Sequence, residues 1–197
     1  MQTLKLKLFT TVAACTLAAS VTHAALVVNG GFETGSFVGW TQFGNTGGTG
    51  VSTISTIPHS GNFGAFFGAE GSLGGIAQTV PTVAGQSYIF DFWLQNSFAG
   101  PTQEARVSWN GGVVLLLINP PVSPYTHYTY TVTATGASTP VMFLFQNDPS
   151  FFDLDDISVV ASGVPVPEPS TYLAGALLLT PFGVHGARYL RNRKQVA

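Results

Sequence analysis

Hydrophobic and polar positions between residues 26 and 160 alternate in short runs rather than with a helical period. The runs are rich in Val, Ile, Phe, Tyr and Thr, and Gly, Pro, Asn or Asp separates most of them. This pattern is typical of β-strands in an all-β sandwich or barrel. The predicted strands are Leu26–Val28, Val51–Ile57, Asn62–Phe67, Leu73–Val80, Ser87–Leu94, Ala105–Trp109, Val113–Ile118, Tyr125–Ala134, Val141–Phe145 and Phe152–Val160.

Two neighbouring runs carry more specific predictions. The segment Asn110–Gly112 lies between the runs ARVSW and VVLLLI, and Asn-Gly is a strong signal for a tight hairpin turn. The run Val113–Ile118 shows no alternation, which predicts a strand buried on both faces.

The run YIFDFWLQN assigns a face to each of its residues. Apolar side chains occupy one face and predict core packing, whereas Asp91, Trp93 and Gln95 share the other face. An aromatic ring between hydrogen-bonding side chains on a sheet surface is typical of a glycan-binding surface. We expect Arg106, with Ser108, to extend this surface from a nearby strand. The core side chains of this run are Tyr88, Phe90, Phe92 and Leu94.

Trp93 admits a second interpretation. Trp93 could instead fill a second core layer or be covered by a loop. Trp40 and Trp109 are predicted to lie in the core.

Residues 1–24 predict a secretory signal peptide. Lys5 and Lys7 precede an apolar run, and small residues lead to a cleavage site after Ala24. The alternative is lipidation of Cys15, because Val12–Cys15 is similar to a lipobox. Both interpretations predict export.

The C-terminal apolar run, Tyr172–Gly186, is 15 residues long, about 22 Å as a helix. A helix that spans a hydrocarbon core of about 30 Å needs roughly 20 residues. Pro181 also interrupts the run. We expect a single short transmembrane helix at residues 172–187, with a domain at 25–162 outside and a basic tail at 188–197 in the cytoplasm. The tail's bases are Arg188, Arg191, Arg193 and Lys194.

Charge and cysteine content exclude several classes of function. Between residues 25 and 165 there is one Lys or Arg, Arg106, against eight acids, a net charge of −7. An acidic domain without a basic patch is not expected to bind nucleic acid. The only cysteine is Cys15, so the domain has neither disulfides nor thiolate metal ligands. Neutral ligands and divalent cations remain.

Catalysis is not expected. No G-x-S-x-G motif is present, and His59 and His127 lack the spacing of a zinc site. Glycoside hydrolysis would require Glu33 and Asp156 to flank a cleft, because Glu70 and Glu104 each stand alone in turn-like contexts.

The C-terminal segment resembles the PEP-CTERM sorting signal. Val166-Pro167-Glu168-Pro169-Ser170-Thr171 is followed by the short apolar run and then by the arginines, in the order of that family. The resemblance implies recognition of the motif, in a linker at residues 163–171, by a membrane-embedded exosortase. It also implies a Gram-negative bacterium that produces exopolysaccharide.

The domain itself resembles the jelly-roll ectodomain of PEP-CTERM proteins, which is similar to galactose-binding-like folds and carbohydrate-binding modules. The resemblance lies in VVNGGFETGSFVGWT, HSGNFGAFFG, AGQSYIFDFWLQN and LDDISVV. It implies a jelly-roll β-sandwich and a structural calcium ion joining the first strand to the last. The matching ligands are Glu33 and Asp156, with Asp155 as the substitute; the alternative is that these acids cap turns or stay solvated.

One further expectation concerns the segment LDDI. If Leu154 and Ile157 both pack inward, a bulge must lie between them, and the side chains of Asp155 and Asp156 then point in different directions.

The predicted function is that of an exported surface or matrix protein that binds or organises exopolysaccharide without catalysis. The alternative is a structural biofilm-matrix or adhesion protein that self-associates without a defined sugar ligand.

Overall fold

The computed structural model of the chain describes residues 25–163. The predicted signal peptide, the sorting motif Pro167–Thr171, the transmembrane helix and the basic tail lie outside the described residues. Within residues 25–163, no helix is long and apolar enough to span a bilayer.

Ten strands form two five-stranded sheets. The first sheet has the order β1-β4-β9-β6-β7 and the second has the order β2-β3-β10-β5-β8, with antiparallel pairing between neighbours. The predicted β-sandwich is therefore confirmed, and its layers are consistent with a jelly roll. The strands are β1 Thr41–Gly44, β2 Thr49–Ser52, β3 Gly64–Phe67, β4 Gly74–Pro81, β5 Ser87–Asn96, β6 Thr102–Trp109, β7 Gly112–Ile118, β8 Ser123–Thr133, β9 Ser138–Asp148 and β10 Phe152–Ala161.

Nine of the ten predicted runs overlap a strand. The exception is Leu26–Val28, which is irregular, although the Leu26 amide donates to the Val159 carbonyl at 2.8 Å. The pattern missed β1, Thr41–Gly44, because this short strand is polar and mostly exposed.

The core lies between the sheets and is largely aromatic. Phe92 of β5 meets Phe143 of β9 edge to face, with ring centroids 5.2 Å apart. Trp40 and Trp109 are buried as predicted. Each satisfies its indole N–H inside the fold, Trp40 on the Asn29 carbonyl and Trp109 on the Thr133 carbonyl. Such partners are what a buried indole requires.

The predicted hairpin at Asn110–Gly112 is confirmed. Trp109 pairs with Gly112, so Asn110 and Gly111 form a two-residue loop between β6 and β7. Their φ values of 51° and 79° are both positive. This is the type I′ geometry that Asn-Gly favours.

The prediction that Val113–Ile118 is buried on both faces is wrong. Strand β7 is the edge of the first sheet and pairs only with β6. Val113, Leu116 and Ile118 are 50–58% exposed, while Val114, Leu115 and Leu117 pack partly against the core. A continuous apolar run does not reveal whether anything covers the outer face of the sheet, so local pattern could not distinguish a strand buried on one face from a strand buried on both.

Candidate functional site

The alternation predicted for β5 is present in the second sheet. Tyr88, Phe90, Phe92 and Leu94 are buried, while Asp91, Trp93 and Gln95 face outward and are partly exposed. We call these three outward residues the Trp93 row. Trp93 is absent from the core, so it does not fill a second core layer.

Trp93 stands between two histidines. Its cross-strand neighbours are Asp155 on β10 and His127 on β8, on opposite sides of β5. The His127 ring stacks on the indole at 4.8 Å and 10°, and the His59 ring stacks at 3.9 Å and 16°. His59 lies over the β10 side because it is bonded to the β10 acids. The imidazoles therefore cover opposite faces of the indole.

His59 belongs to the β2–β3 loop, residues 53–63. This loop folds over β10 because carboxylates of that strand bind it. Asp155 Oδ2 accepts from the amides of His59 and Ser60 at 2.8 and 3.1 Å. Asp156 Oδ2 lies 2.6 Å from His59 Nδ1, and its Oδ1 accepts from the Ser60 hydroxyl at 2.7 Å. Loop coverage of Trp93, one of the sequence-based alternatives, is thus realised on one face.

The far side of the loop is held from β8. The Tyr125 hydroxyl donates to the Ile57 carbonyl, and its ring meets His59 edge-on at 5.1 Å. Burial raises the pKa of Tyr125 above its ordinary value. The loop is therefore fixed by β10 on one side and by β8 on the other.

Glu33 binds the end of the same loop. Its Oε1 accepts from the amides of Asn62 and Phe63 at 2.9 and 3.0 Å. These two backbone bonds, that from Phe63 foremost, lower the pKa of Glu33. Glu33, Asp155 and Asp156, which the sequence singled out together, therefore do lie around one segment of the fold.

The predicted bulge in β10 is present. The register with β5 shifts between Asp155 and Ser158, and Leu154 and Ile157 are both buried. Asp156 adopts a φ of 49°, in the left-handed region. The Ile157 amide donates to the Gly30 carbonyl at 3.0 Å, which joins the N-terminal segment to the bulge.

The three acids offer oxygen donors near Gly31. A methyl group placed on Gly31 would lie 3.5 Å from Asp156 Oδ1 and 3.7 Å from Asp155 Oδ1. Oxygen donors suit a hard cation such as Ca²⁺. Within the part of the chain described, however, no three His, Asp or Glu side chains gather closely enough to hold a metal by themselves. Backbone carbonyls would have to complete the coordination.

Burial opposes ionisation at two acids of β10. It raises the pKa of Asp155 to about 6, although the three backbone N–H bonds to this carboxylate act in the opposite direction. It raises the pKa of Asp153 to about 7, partly offset by the Ser97 hydrogen bond. Both shifts follow from desolvation of the charged form.

Polar groups continue along the Trp93 row. His127 Nε2 lies 3.4 Å from Asp91 Oδ1, and Gln95 Nε2 donates to Ser97 Oγ at 3.0 Å. From Asp91 to Gln95 the row runs for about 13 Å at the usual strand rise. It presents planar polar groups on both sides of the indole edge.

Arg106 does not extend the row, and this part of the sequence prediction is wrong. Arg106 lies on β6 in the first sheet, where it pairs with Glu104 at 2.5 Å. Stacked sheets are about 10 Å apart. Ser108 is buried on the same strand. The alternation of β6 correctly predicts that Arg106 faces outward, but local pattern does not show to which sheet a strand belongs.

The roles of His59 and His127 were not predicted from the sequence. A local signal exists for His127, because the alternation in YTHYTYT places this residue on the polar face with Thr129 and Thr131. No local signal could have placed His59, which meets its acidic partners about a hundred residues further along the chain.

No protein-family model matches the chain. No curated protein matches it by sequence.

Solved structures do match the described domain. TmCBM61 in complex with β-1,4-galactotriose aligns with a TM-score of 0.56 and 18% identity, over 71% of this chain and 99% of that one. A CBM4 structure aligns with a TM-score of 0.50 and 14% identity, over 69% and 99% of the two chains. The Clostridium thermocellum Xyn10B CBM22-1–GH10 modules, complexed with xylohexaose, align at 0.51 and 16% identity, over 72% of this chain and 29% of that one. The described domain therefore has a jelly-roll fold like that of carbohydrate-binding modules.

Proposed function

We propose that this domain binds a neutral glycan, without catalysis, on the outer face of its second sheet. The observation that carries the proposal is the Trp93 row, with His127 beside it, on a partly exposed sheet surface. The neighbouring carboxylate, amide and imidazole groups can form hydrogen bonds with the hydroxyls of a sugar chain. The likeness of the fold to modules solved with galactotriose and xylohexaose supports this proposal.

Charge selects the class of glycan. Five of the domain's eight acids lie on this face or in contact with the loop at its edge, and the one arginine lies on the other sheet. An anionic polysaccharide would meet like charges here without a basic partner. We therefore propose an uncharged chain, such as a neutral exopolysaccharide. The five acids are Glu33, Asp91, Asp153, Asp155 and Asp156.

The ring stack defines how such a chain would be held. Both faces of Trp93 are covered by imidazoles, so flat stacking of a sugar on the indole would require a histidine to move. Hydrogen bonds from Asp91, Gln95 and His127 then supply most of the recognition, with the indole edge as an apolar contact. Glu33 and Asp156, the acids that hydrolysis would require, are engaged with the β2–β3 loop, which supports a non-catalytic role.

Asp91→Ala and Gln95→Ala should each weaken glycan binding about tenfold, since a hydrogen bond to a sugar hydroxyl is lost. Calorimetric titration with a panel of neutral oligosaccharides that includes β-1,4-galactotriose and xylohexaose measures the effect. Arg106→Ala, on the other sheet, is the matched control and should bind like wild type. Unchanged affinity in both row variants, or an equal loss in the control, would rule out this face.

We further propose a structural calcium ion between the N-terminal segment and the β10 bulge. Asp155 and Asp156 direct oxygens at Gly31, and Glu33 lies next to them. Backbone carbonyls of the segment would complete the coordination, because the side chains alone do not. Calcium would offset the mutual repulsion of these acids and stabilise the contact of Gly30 and Gly31 with β10.

Calcium at a hundred times its dissociation constant should raise the free energy of unfolding by about 2.7 kcal/mol. Thermal unfolding with excess EDTA and then with added CaCl₂ tests this. Asp156→Asn should remove most of the shift, whereas Glu70→Gln, an exposed acid in another loop, should keep it. A melting temperature that changes with neither chelator nor calcium would contradict the proposed calcium site.

We also propose that the protein is exported across the inner membrane of a Gram-negative bacterium and sorted by an exosortase to the cell surface or biofilm matrix. The support is the order of signal peptide, Pro167-Glu168-Pro169-Ser170-Thr171 motif, apolar run and basic end in the sequence. The C-terminal helix would anchor the protein in the membrane only until processing.

The mass of the surface form tests the sorting proposal. Intact mass spectrometry of surface-extracted protein should show that both residues 1–24 and the tail after the motif have been removed. A surface form that still contains Tyr172–Ala197 would identify the tail as a permanent anchor instead.

A further inference from the structure

A groove with a volume of about 520 Å³ lies beside the Trp93 row. Its walls come from the β2–β3 loop, from outward-facing residues of β2, β3 and β10, and from the residues that follow β5 and precede β10. The lining residues include Ile54, Ile57, Phe66, Ser97, Phe151 and Asp153.

Two phenylalanines form an aromatic wall. Phe66 and Phe151 meet edge to face, with centroids 5.5 Å apart, and Phe151 is 41% exposed. Glycine backbone supports each ring from behind: a methyl group on Gly50 would lie 2.6 Å from Phe66, and one on Gly68 would lie 2.5 Å from Phe151. The absence of side chains at Gly50 and Gly68 thus lets the rings lie against the sheet. Such fixed aromatic surface suits the C–H groups of a sugar ring.

One acid adds a polar contact. Asp153 points outward from β10 but is only 5% exposed. Within residues 25–163, the hydrogen bond that its carboxyl receives is the one from the Ser97 hydroxyl to Oδ2, at 3.2 Å. Asp153 lines the groove, so a ligand hydroxyl there could donate to its remaining acceptor sites.

The groove is continuous with the Trp93 row. Gln95, the last residue of the row, is the cross-strand partner of Asp153. Ser97 joins them, since it accepts from Gln95 and donates to Asp153. Two strand spacings, about 10 Å, separate β5 from the strand that carries Phe66. A single extended ligand can therefore contact both places.

We propose that this groove is a second sugar-binding position, which holds an uncharged pyranose unit of the same glycan chain against Phe151 and Asp153. The inference rests on the proposed glycan-binding function and adds a distinct subsite to it. An uncharged sugar is favoured here too, because no lining residue of the groove is a Lys, Arg or His that could pair with an anionic sugar.

The test is the dependence of affinity on chain length. Di- to hexasaccharides of the β-1,4-galactan and xylan series are titrated into wild-type protein and into Phe151→Ala. Wild-type affinity should rise with length until both positions are filled. Phe151→Ala should lower the affinity for the longest chains about tenfold and leave the disaccharide affinity unchanged.

Two further variants make the result specific. Phe151→Tyr keeps the ring and should retain wild-type affinity for long chains. Val83→Ala removes another exposed apolar side chain, at the other end of the sandwich, and should change nothing. Melting temperatures of all variants check that the fold is intact.

The outcomes separate this inference from the proposed function. If Asp91→Ala weakens binding while Phe151→Ala has no effect at any length, or an equal effect at every length, the second subsite is wrong and the Trp93 row stands. If no oligosaccharide binds to wild type, the proposed function fails and the subsite with it. An apolar dye that binds in the groove and is not displaced by any of the sugars would identify a site for an apolar ligand and overturn the subsite.

Discussion

The buried carboxylate of Asp155 is the constraint on which the candidate site depends. It points outward from β10, yet it has no exposed surface because the β2–β3 loop covers it. A buried carboxylate must be hydrogen-bonded to be tolerated. The amides of His59, Ser60 and Asp156 supply those bonds. The strand and the loop therefore specify each other's positions across almost a hundred residues of sequence.

This single contact organises both proposed binding positions. On one side it places His59 against Trp93, so that the indole presents its edge rather than its face. On the other side it acts with the hydrogen bond from the Tyr125 hydroxyl to the Ile57 carbonyl to hold the loop as a wall of the groove. The residual cost of burial appears in the raised pKa of Asp155. A cation shared with Asp156 and Glu33 would lower that cost, so the calcium and glycan proposals concern the same loop.

Sequence pattern predicted what depends on alternation and local geometry. It gave the two faces of β5, the type of turn after Trp109, and the bulge between Leu154 and Ile157. It failed where the answer depends on which strands are neighbours. Arg106 faces outward as predicted, but from the first sheet rather than the second, and the apolar run of β7 is exposed on one face rather than buried on both. The stacking of His59 on Trp93 arises from loop contacts that have no counterpart in any local run.

Binding at the Trp93 row is the central claim, and the three tryptophans of the chain allow a direct test. Trp40 and Trp109 are buried and donate their indole N–H groups to backbone carbonyls. Indole resonances in a ¹H–¹⁵N spectrum can be followed while neutral oligosaccharides are added. The Trp93 resonance should shift saturably while those of Trp40 and Trp109 stay in place. Saturable binding that leaves Trp93 unmoved, or no binding by any neutral oligosaccharide, would contradict the claim.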